Sequence, residues 1–258
     1  MPDSLTTLTK RVLFSPLSDP RRTETVVSRI RSAITLGIFA NGEQLPNEIE
    51  LAAQLSVSPV TLRDALRVVR EEGLVRTTRG RSGGTFVIAP DESNMRQFER
   101  SLAELPPIEL RDLLDWQAAI LGQAARFAAE RASAHDTASL MSTIMLLGSA
   151  PDAPRARRAN SRFLIELAAS SRSVRISRTA VTLQIETAPH SMLVFRDPDA
   201  RTETFERGQR VVAAVAERDV SAAHERTLEM TGFVGDRVVE LHHDLSQRML
   251  EPEGAVGR

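Results

Sequence analysis

Residues 23–88 set out three short helical patterns followed by two β-like runs, and that order leaves few folds open. From Thr23 to Leu36 the apolar positions Val26, Val27, Ile30, Ala33 and Ile34 recur at helical spacing, and Gly37 offers a C-cap. Asn41-Gly42 is a turn signal. Ile49, Leu51, Ala52 and Leu55 predict a short helix over Glu48–Leu55. Ser58 suits an N-cap and is followed by proline at the first helical position. The helix it opens runs to about Glu72, with Leu62, Ala65, Leu66 and Val69 on one face, and Gly73 ends it. Two β-like runs, Leu74–Thr78 and Thr85–Ile88, then flank the tip Arg79-Gly80-Arg81-Ser82-Gly83-Gly84. Glycine there permits positive φ and a tight reversal. Three helices and a hairpin in this order are the layout of a winged helix-turn-helix.

Ala89-Pro90-Asp91 marks a boundary, beyond which no strand alternation appears. Helical patterns cover about 93–104, 108–132, 135–148, 155–170, 174–187, 202–218 and 220–249. Pro106-Pro107, Pro151 with Pro154, Pro189 and Pro198 fall where breaks between them are expected. The last pattern carries a stripe of Leu228, Thr231, Val234, Val238, Leu241 and Leu245, which predicts a bundle core. The expected fold is therefore mostly α: an N-terminal winged helix-turn-helix and a C-terminal all-helical antiparallel bundle. The expected divisions are a flexible arm at 1–22, a DNA-binding domain at 23–89 and a linker helix at 90–107. An all-helical domain at 108–250 and a flexible tail at 251–258 complete the chain.

Composition sets the outer limits. Hydrophobic residues at 41% and charged residues at 26% suit a chain of 258 residues that buries real cores. With no cysteine, a disulfide framework and a thiolate metal site are excluded, which fits a reducing cytoplasm. No apolar run approaches the roughly 20 residues that a membrane span needs. The stretch from Met1 to Arg22 is too polar for a secretory signal. Residues 1–90 hold 12 Lys+Arg against 9 Asp+Glu, and the remainder 21 against 25. That mild basic excess is compatible with a nucleic-acid partner but does not identify one, so pattern must decide.

A helix-turn-helix lays its second helix in the major groove, where the first turn reaches base edges. Here that turn is Ser58, Pro59, Val60, Thr61 and Arg63. Ser58 can cap the helix and meet a phosphate, and Thr61 offers a hydroxyl and a methyl. Arg63 can fork onto guanine O6/N7, a bidentate pair that discriminates by roughly 1–3 kcal/mol. Arg67 and Arg70 lie further along, at phosphate positions. Arg79 and Arg81 sit at the wing tip beside Gly80, where the backbone can approach DNA closely.

These residues carry a resemblance. Ile34, Gly37, Leu45-Pro46, Glu48, Leu51-Ala52, Leu55, Val57-Ser58, Leu62-Arg63-Asp64-Ala65-Leu66, Glu72-Gly73-Leu74-Val75 and Gly84-Thr85-Phe86-Val87 resemble the GntR family of bacterial regulators. The resemblance implies that Ser58, Thr61, Arg63 and the wing near Gly80 face an operator. Two departures stand out: Pro59 and Ile49 occupy places where the family usually or often has arginine. They imply an altered half-site, or greater reliance on Arg63 and the wing.

The second half is similar to the FadR-like subgroup with its FCD ligand domain, through Asp115, Ala128-Ala129-Glu130-Arg131, Phe163 with Leu167, and Ala214 with Asp219. Many such domains hold a divalent metal with one Asp and three His, and the metal binds an organic acid. The corresponding positions here are Asn160, Leu164, Gly208 and Met230, and Gln117 stands where an arginine often helps hold the effector. These cannot make a hard-cation site. His135, His190, His224, His242 and His243 show no paired ligand spacing, so surface or core roles are expected for them. The resemblance then implies a metal-free pocket at Gln117, Asn160, Leu164, Gly208 and Met230 with no cofactor. Its expected effector is hydrophobic, an acyl thioester being one class. A vestigial, ligand-free domain acting only in dimerisation is the alternative.

An enzyme finds no support. There is no Walker A loop, no GxGxxG after a strand, no GxSxG and no HExxH, and Gly80–Gly84 lies in a wing. The expected protein is a cytoplasmic homodimeric regulator, a repressor, binding a pseudo-palindromic duplex without membrane association.

Overall fold

The computed structural model describes residues 22–35, 39, 41–78, 80, 83–88 and 95–250. The expected tail, and all of the expected arm except Arg22, lie outside the described residues. By its contacts the chain divides into two compact units between Asp91 and Glu92.

The first unit holds α1 (Arg22–Thr35), α2 (Glu48–Leu55), α3 (Pro59–Glu71), β1 (Val75–Thr78) and β2 (Gly84–Val87). Val26, Ile30 and Ile34 of α1, Leu51 and Leu55 of α2, and Leu62, Ala65 and Val69 of α3 are buried, as are Phe39 and Leu45, with α1 and α2 each packed on α3. Local chemistry sets each boundary. Asn47 Oδ1 accepts the Glu50 N–H and starts α2, and Ser58 Oγ accepts the Thr61 N–H and starts α3. Ser56 ends α2 in the left-handed region at φ 55°, where the Val57 and Ser56 N–H groups close back on the Ala52 and Ala53 carbonyls. Gly73, at φ 74°, does the same after α3, with Leu74 N–H bonded to the Val69 carbonyl.

β1 and β2 pair antiparallel with Val75 opposite Val87 and Thr78 opposite Gly84. The alternation sends Val75 and Val87 into the core. Segment 43–45 adds an outer edge, as Val87 N–H bonds to the Glu43 carbonyl and Leu45 N–H to the Thr85 carbonyl. Gly84 has a specific cause: a Cβ there would overlap the Gln44 side-chain amide, whose Nε2 donates to the Gly83 carbonyl at 3.2 Å.

The second unit is helical throughout its described residues: α4 (Met95–Glu104), α5 (Pro107–Arg131), α6 (Ala134–Gly148), α7 (Ala153–Ser170), α8 (Val174–Val194), α9 (Pro198–Ala216) and α10 (Val220–Leu250). The core joins Leu121 and Ala125 of α5, Ile144 of α6, Phe163 and Leu167 of α7, Met192 of α8, Val211 of α9 and Met230 of α10. Side chains of Ser133, Asp152, Ser173 and Asp197 cap four of the helices.

Two sequence expectations need correction here. Pro189 does not break a helix; it lies inside α8, which continues to Val194. Proline removes the bond to the Ile185 carbonyl and costs a helix interior about 3 kcal/mol. Thr187, Ala188, His190, Ser191, Met192, Leu193 and Val194 are all buried, and their burial offsets that cost. Pro198 lies in the first turn of α9, so that helix starts four residues before the expected 202.

Candidate nucleic-acid interface and ligand cavity

The first turn of α3 is fixed by its cap and presented to solvent. Ser58 Oγ accepts the Thr61 N–H at 3.1 Å and lies 2.9 Å from Thr61 Oγ1, so the two hydroxyls share a hydrogen bond. Pro59 is exposed, Val60 is 65% exposed and Thr61 is half-buried. Leu62, Ala65 and Val69 point into the core, which turns Arg63, Arg67 and Arg70 outward. Arg63 Nε donates to Glu48 Oε2 at 2.7 Å, linking α3 to the start of α2. An ion pair this exposed adds little stability, but it orients the guanidinium and leaves the terminal nitrogens for another acceptor. Arg67 pairs with Glu71 at 3.1 Å along the same helix. Ile49, beside Glu48, is 77% exposed, so an apolar side chain and not a cation stands at this end of α2.

In the hairpin Gly80 adopts φ 116° and its carbonyl accepts the Gly83 N–H at 2.9 Å. Arg79 and Arg81, the expected wing-tip cations, lie outside the described residues. Arg76 on β1 rests over the Phe86 ring at 5.6 Å. Glu48 as the partner of Arg63 is an addition that sequence reasoning missed, since residues fifteen apart carry no local signal.

Inside the bundle a small cavity of about 20 Å³, room for about one water, lies between α5, α7, α8 and α10. Gln117, Asn160, Leu164 and Met230 line it together. Gly208 does not line it: a Cβ at Gly208 would overlap Ile144 Cδ1 and stand 3.6 Å from Met230 Cε, so this residue makes room for its neighbours. Leu114, Val234 and Val238 give the wall an apolar side, whereas Thr187, His190, Ser191 and Thr231 add polar groups. The wall is thus more mixed than the apolar pocket expected from the sequence. His190 is the lining residue that the sequence reading set aside, because its signal is tertiary. Thr231, Val234 and Val238, read as core stripe, are partly cavity wall.

Hydrogen bonding explains the polarity. Gln117 Nε2 donates to Thr187 Oγ1 at 3.3 Å, and Thr187 Oγ1 donates to the Leu183 carbonyl. Ser191 and Thr231 likewise spend their protons on carbonyls of their own helices. Asn160 is 4% exposed and its Oδ1 has no hydrogen-bond partner. Burial pushes the His190 imidazole down to about 4, and His242 adds to the shift, so the ring is neutral at pH 7. His242 itself bonds the Leu105 carbonyl through Nε2 at 2.8 Å. Arg157, one turn before Asn160, is buried but is not part of the wall.

A divalent metal does not fit this donor set. Asn160 and Met230 are weak, uncharged donors, Leu164 has none, and His190 is a single imidazole. Among the described residues no three His, Asp or Glu side chains converge on a point. His135 and His243 are exposed, His224 is half-buried beside Gly122, and His242 faces Leu105.

Known proteins of similar sequence point the same way as the geometry. The model for bacterial regulatory proteins of the gntR family matches residues 22–87, and the FCD domain model matches residues 112–232. The chain is 38% identical over 226 residues to the "Putative HTH-type transcriptional regulator RmpR" of Mycobacterium gastri, covering 84% of this chain and 80% of that one. A shorter match, 35% identical over 78 residues, joins it to the HTH-type transcriptional repressor NanR of Escherichia coli, covering 30% of each chain. Among solved structures, E. coli McbR/YncC shares the fold with a TM-score of 0.50 at 16% identity, covering 88% of this chain and 99% of that one.

Proposed function

Because the chain belongs to the GntR family of bacterial transcription regulators and carries an FCD domain, we propose that it is a sequence-specific repressor whose operator binding is modulated by a small molecule in the bundle cavity. The observation that carries this reading is the first turn of α3, capped, proline-started and exposed at Val60 and Arg63. A capped helix entering the major groove directs its first-turn side chains at base edges and its positive end toward phosphate. Arg63 reads a base edge, while Pro59, Val60 and Thr61 make close contacts to methyl groups and sugars. Ser58 holds the turn, and Arg67, Arg79, Arg81 and the Gly80 backbone meet phosphates.

The operator is a pseudo-palindrome bound by a homodimer in the cytoplasm, because a two-fold protein reads two inverted half-sites. The name of the relative NanR is in keeping with repression. In the bundle, Gln117, Asn160, Leu164 and Met230, joined by His190, form the effector site, which has to widen beyond its room for about one water. Gly208 supports that wall from behind. Selection of binding sites from random duplexes by the purified full chain tests the reading. Enrichment of two inverted half-sites supports it, and recovery of unenriched sequence overturns it.

A further inference from the structure

We infer that the outer face of α6, with the adjoining edge of α9, is the surface through which two copies of this chain pair, their α6 helices side by side and parallel. The inference rests on the homodimer reading and names its contact. From Thr137 to Pro151 the sequence carries no ionisable residue, and α6 fills most of that run. Leu140, Thr143, Ile144 and Leu147 are buried in the bundle. The opposite face is Ala138, Met141, Ser142, Met145, Leu146 and Ser149, all exposed. Met141, Met145 and Leu146 stand 38%, 49% and 47% exposed, with Met141 and Met145 neighbours along the helix. A helix that borders water ordinarily carries charge on that side, and a contiguous apolar patch there marks a contact surface.

One neighbouring helix extends the patch and the other bounds it. Ile144 and Gly148 of α6 sit against Gly208 and Phe205 of α9. Beyond Phe205 on the same face of α9 lie Gln209 and Ala213, so uncharged surface continues from Met141 and Met145 onto that helix. At about 22 Å long, the face of α6 alone falls short of the about 800 Å² per partner of a stable pair, so the edge of α9 is needed. On the other side Ser139 Oγ donates to Glu166 of α7 at 3.1 Å. Arg162, Arg158 and Arg155 share the face of α7 that carries Glu166 and form most of its accessible strip. That strip sets the orientation. A two-fold axis across α6 would lay the arginines against their own copies, and like charges would meet. An axis along α6 lays them against α9 of the second copy, where Glu206 stands exposed. The chain thus supplies both the apolar patch and the carboxylate that its own basic flank requires, which commits the face to a second copy.

The chain has no cysteine, so single cysteines report on this face without background. A disulfide closes only when its two Cα atoms come within about 7 Å. Ala138→Cys and Met145→Cys, about two turns apart, should each form covalent dimers under mild oxidation, since a lengthwise axis brings every residue of the stripe to its own copy. A crosswise axis lets at most one of them do so; that result, or no covalent dimer with either, overturns the inference. Sedimentation of the full-length protein gives the second arm. Met145→Glu and Met141→Glu should each raise the dimer dissociation constant about thirtyfold or more with helicity retained. Val239→Glu, at an exposed position on α10, should leave it unchanged. Either α6 variant suffices if the other fails to fold. A wild-type dimer that resists both α6 variants, or that Val239→Glu dissociates, keeps the homodimer and overturns this face. A wild type that stays monomeric, free and on operator duplex, removes the homodimer itself and leaves sequence preference on DNA as a separate result.

Discussion

The two units place their functional residues in opposite environments. On α3 the candidate reading residues are exposed and held by a serine cap, a proline and one exposed ion pair, all within short reach along the chain or at one helix contact. In the bundle the candidate binding residues are buried, come from four helices and owe their protonation and hydrogen bonding to tertiary packing. Substitution at the first should change binding with little effect on folding. At the second, binding and stability should move together. A surface site is free to vary its specificity, whereas an internal site can change its ligand only within what the core tolerates.

That contrast breaks most visibly at Phe163, which is fully buried in the bundle. Phe163→Ala should cost about 3–5 kcal/mol in denaturant unfolding of the full chain, whereas Arg63→Ala should cost under about 0.5. A loss at Phe163 as small as the one at Arg63 would mean that the bundle core is not packed as described.

The next effect is pH-dependent. The folded imidazole of His190 lies at about 4 and the unfolded one near 6.5, so the unfolded chain takes the proton first as pH falls. The stability it contributes is present above the unfolded value and is lost as pH drops from about 6.5 to 4, by about 2–3 kcal/mol. Glu166 acts in the opposite sense: burial raises its carboxyl, against the Ser139 hydrogen bond, and its protonation favours the folded state. Comparing wild type with His190→Gln isolates the histidine. The variant should lose less stability between pH 7 and pH 4, and superimposable profiles would contradict a buried neutral ring.

The smallest effect sharpens the surface side. Ser56 holds the left-handed conformation in the turn between α2 and α3, where a non-glycine residue is strained by about 1 kcal/mol. Ser56→Gly should therefore raise the Tm slightly and leave operator preference unchanged. A fall in Tm would show that the Ser56 side chain supports the turn.

Much of the first unit is legible because its signals are local. The Glu48–Leu55 helix follows from the spacing of Ile49, Leu51, Ala52 and Leu55, and α3 is bounded by the cap chemistry of Ser58-Pro59 and Gly73. The bundle is legible as helices but less so as a site. Periodicity along α10 marks Thr231, Val234 and Val238 as inward-facing without distinguishing core from cavity wall. His190 reads as a surface or core histidine because only packing puts it on the same cavity wall as Asn160. Pro189 misleads because its local cost is outweighed by burial of the turns around it. Gly208 sits behind the wall because Ile144 fills the space that a side chain there would need.

The central claim is that Arg63, on the capped first turn of α3, reads a base. Quantitative binding of wild type and Arg63→Ala to every single-base variant of the selected operator tests it directly. A loss of roughly 1–3 kcal/mol on the selected site, with preference flattened at one position per half-site and kept elsewhere, is the expected result. A uniform loss across all variants, with every positional preference intact, would make Arg63 a phosphate contact and contradict the claim.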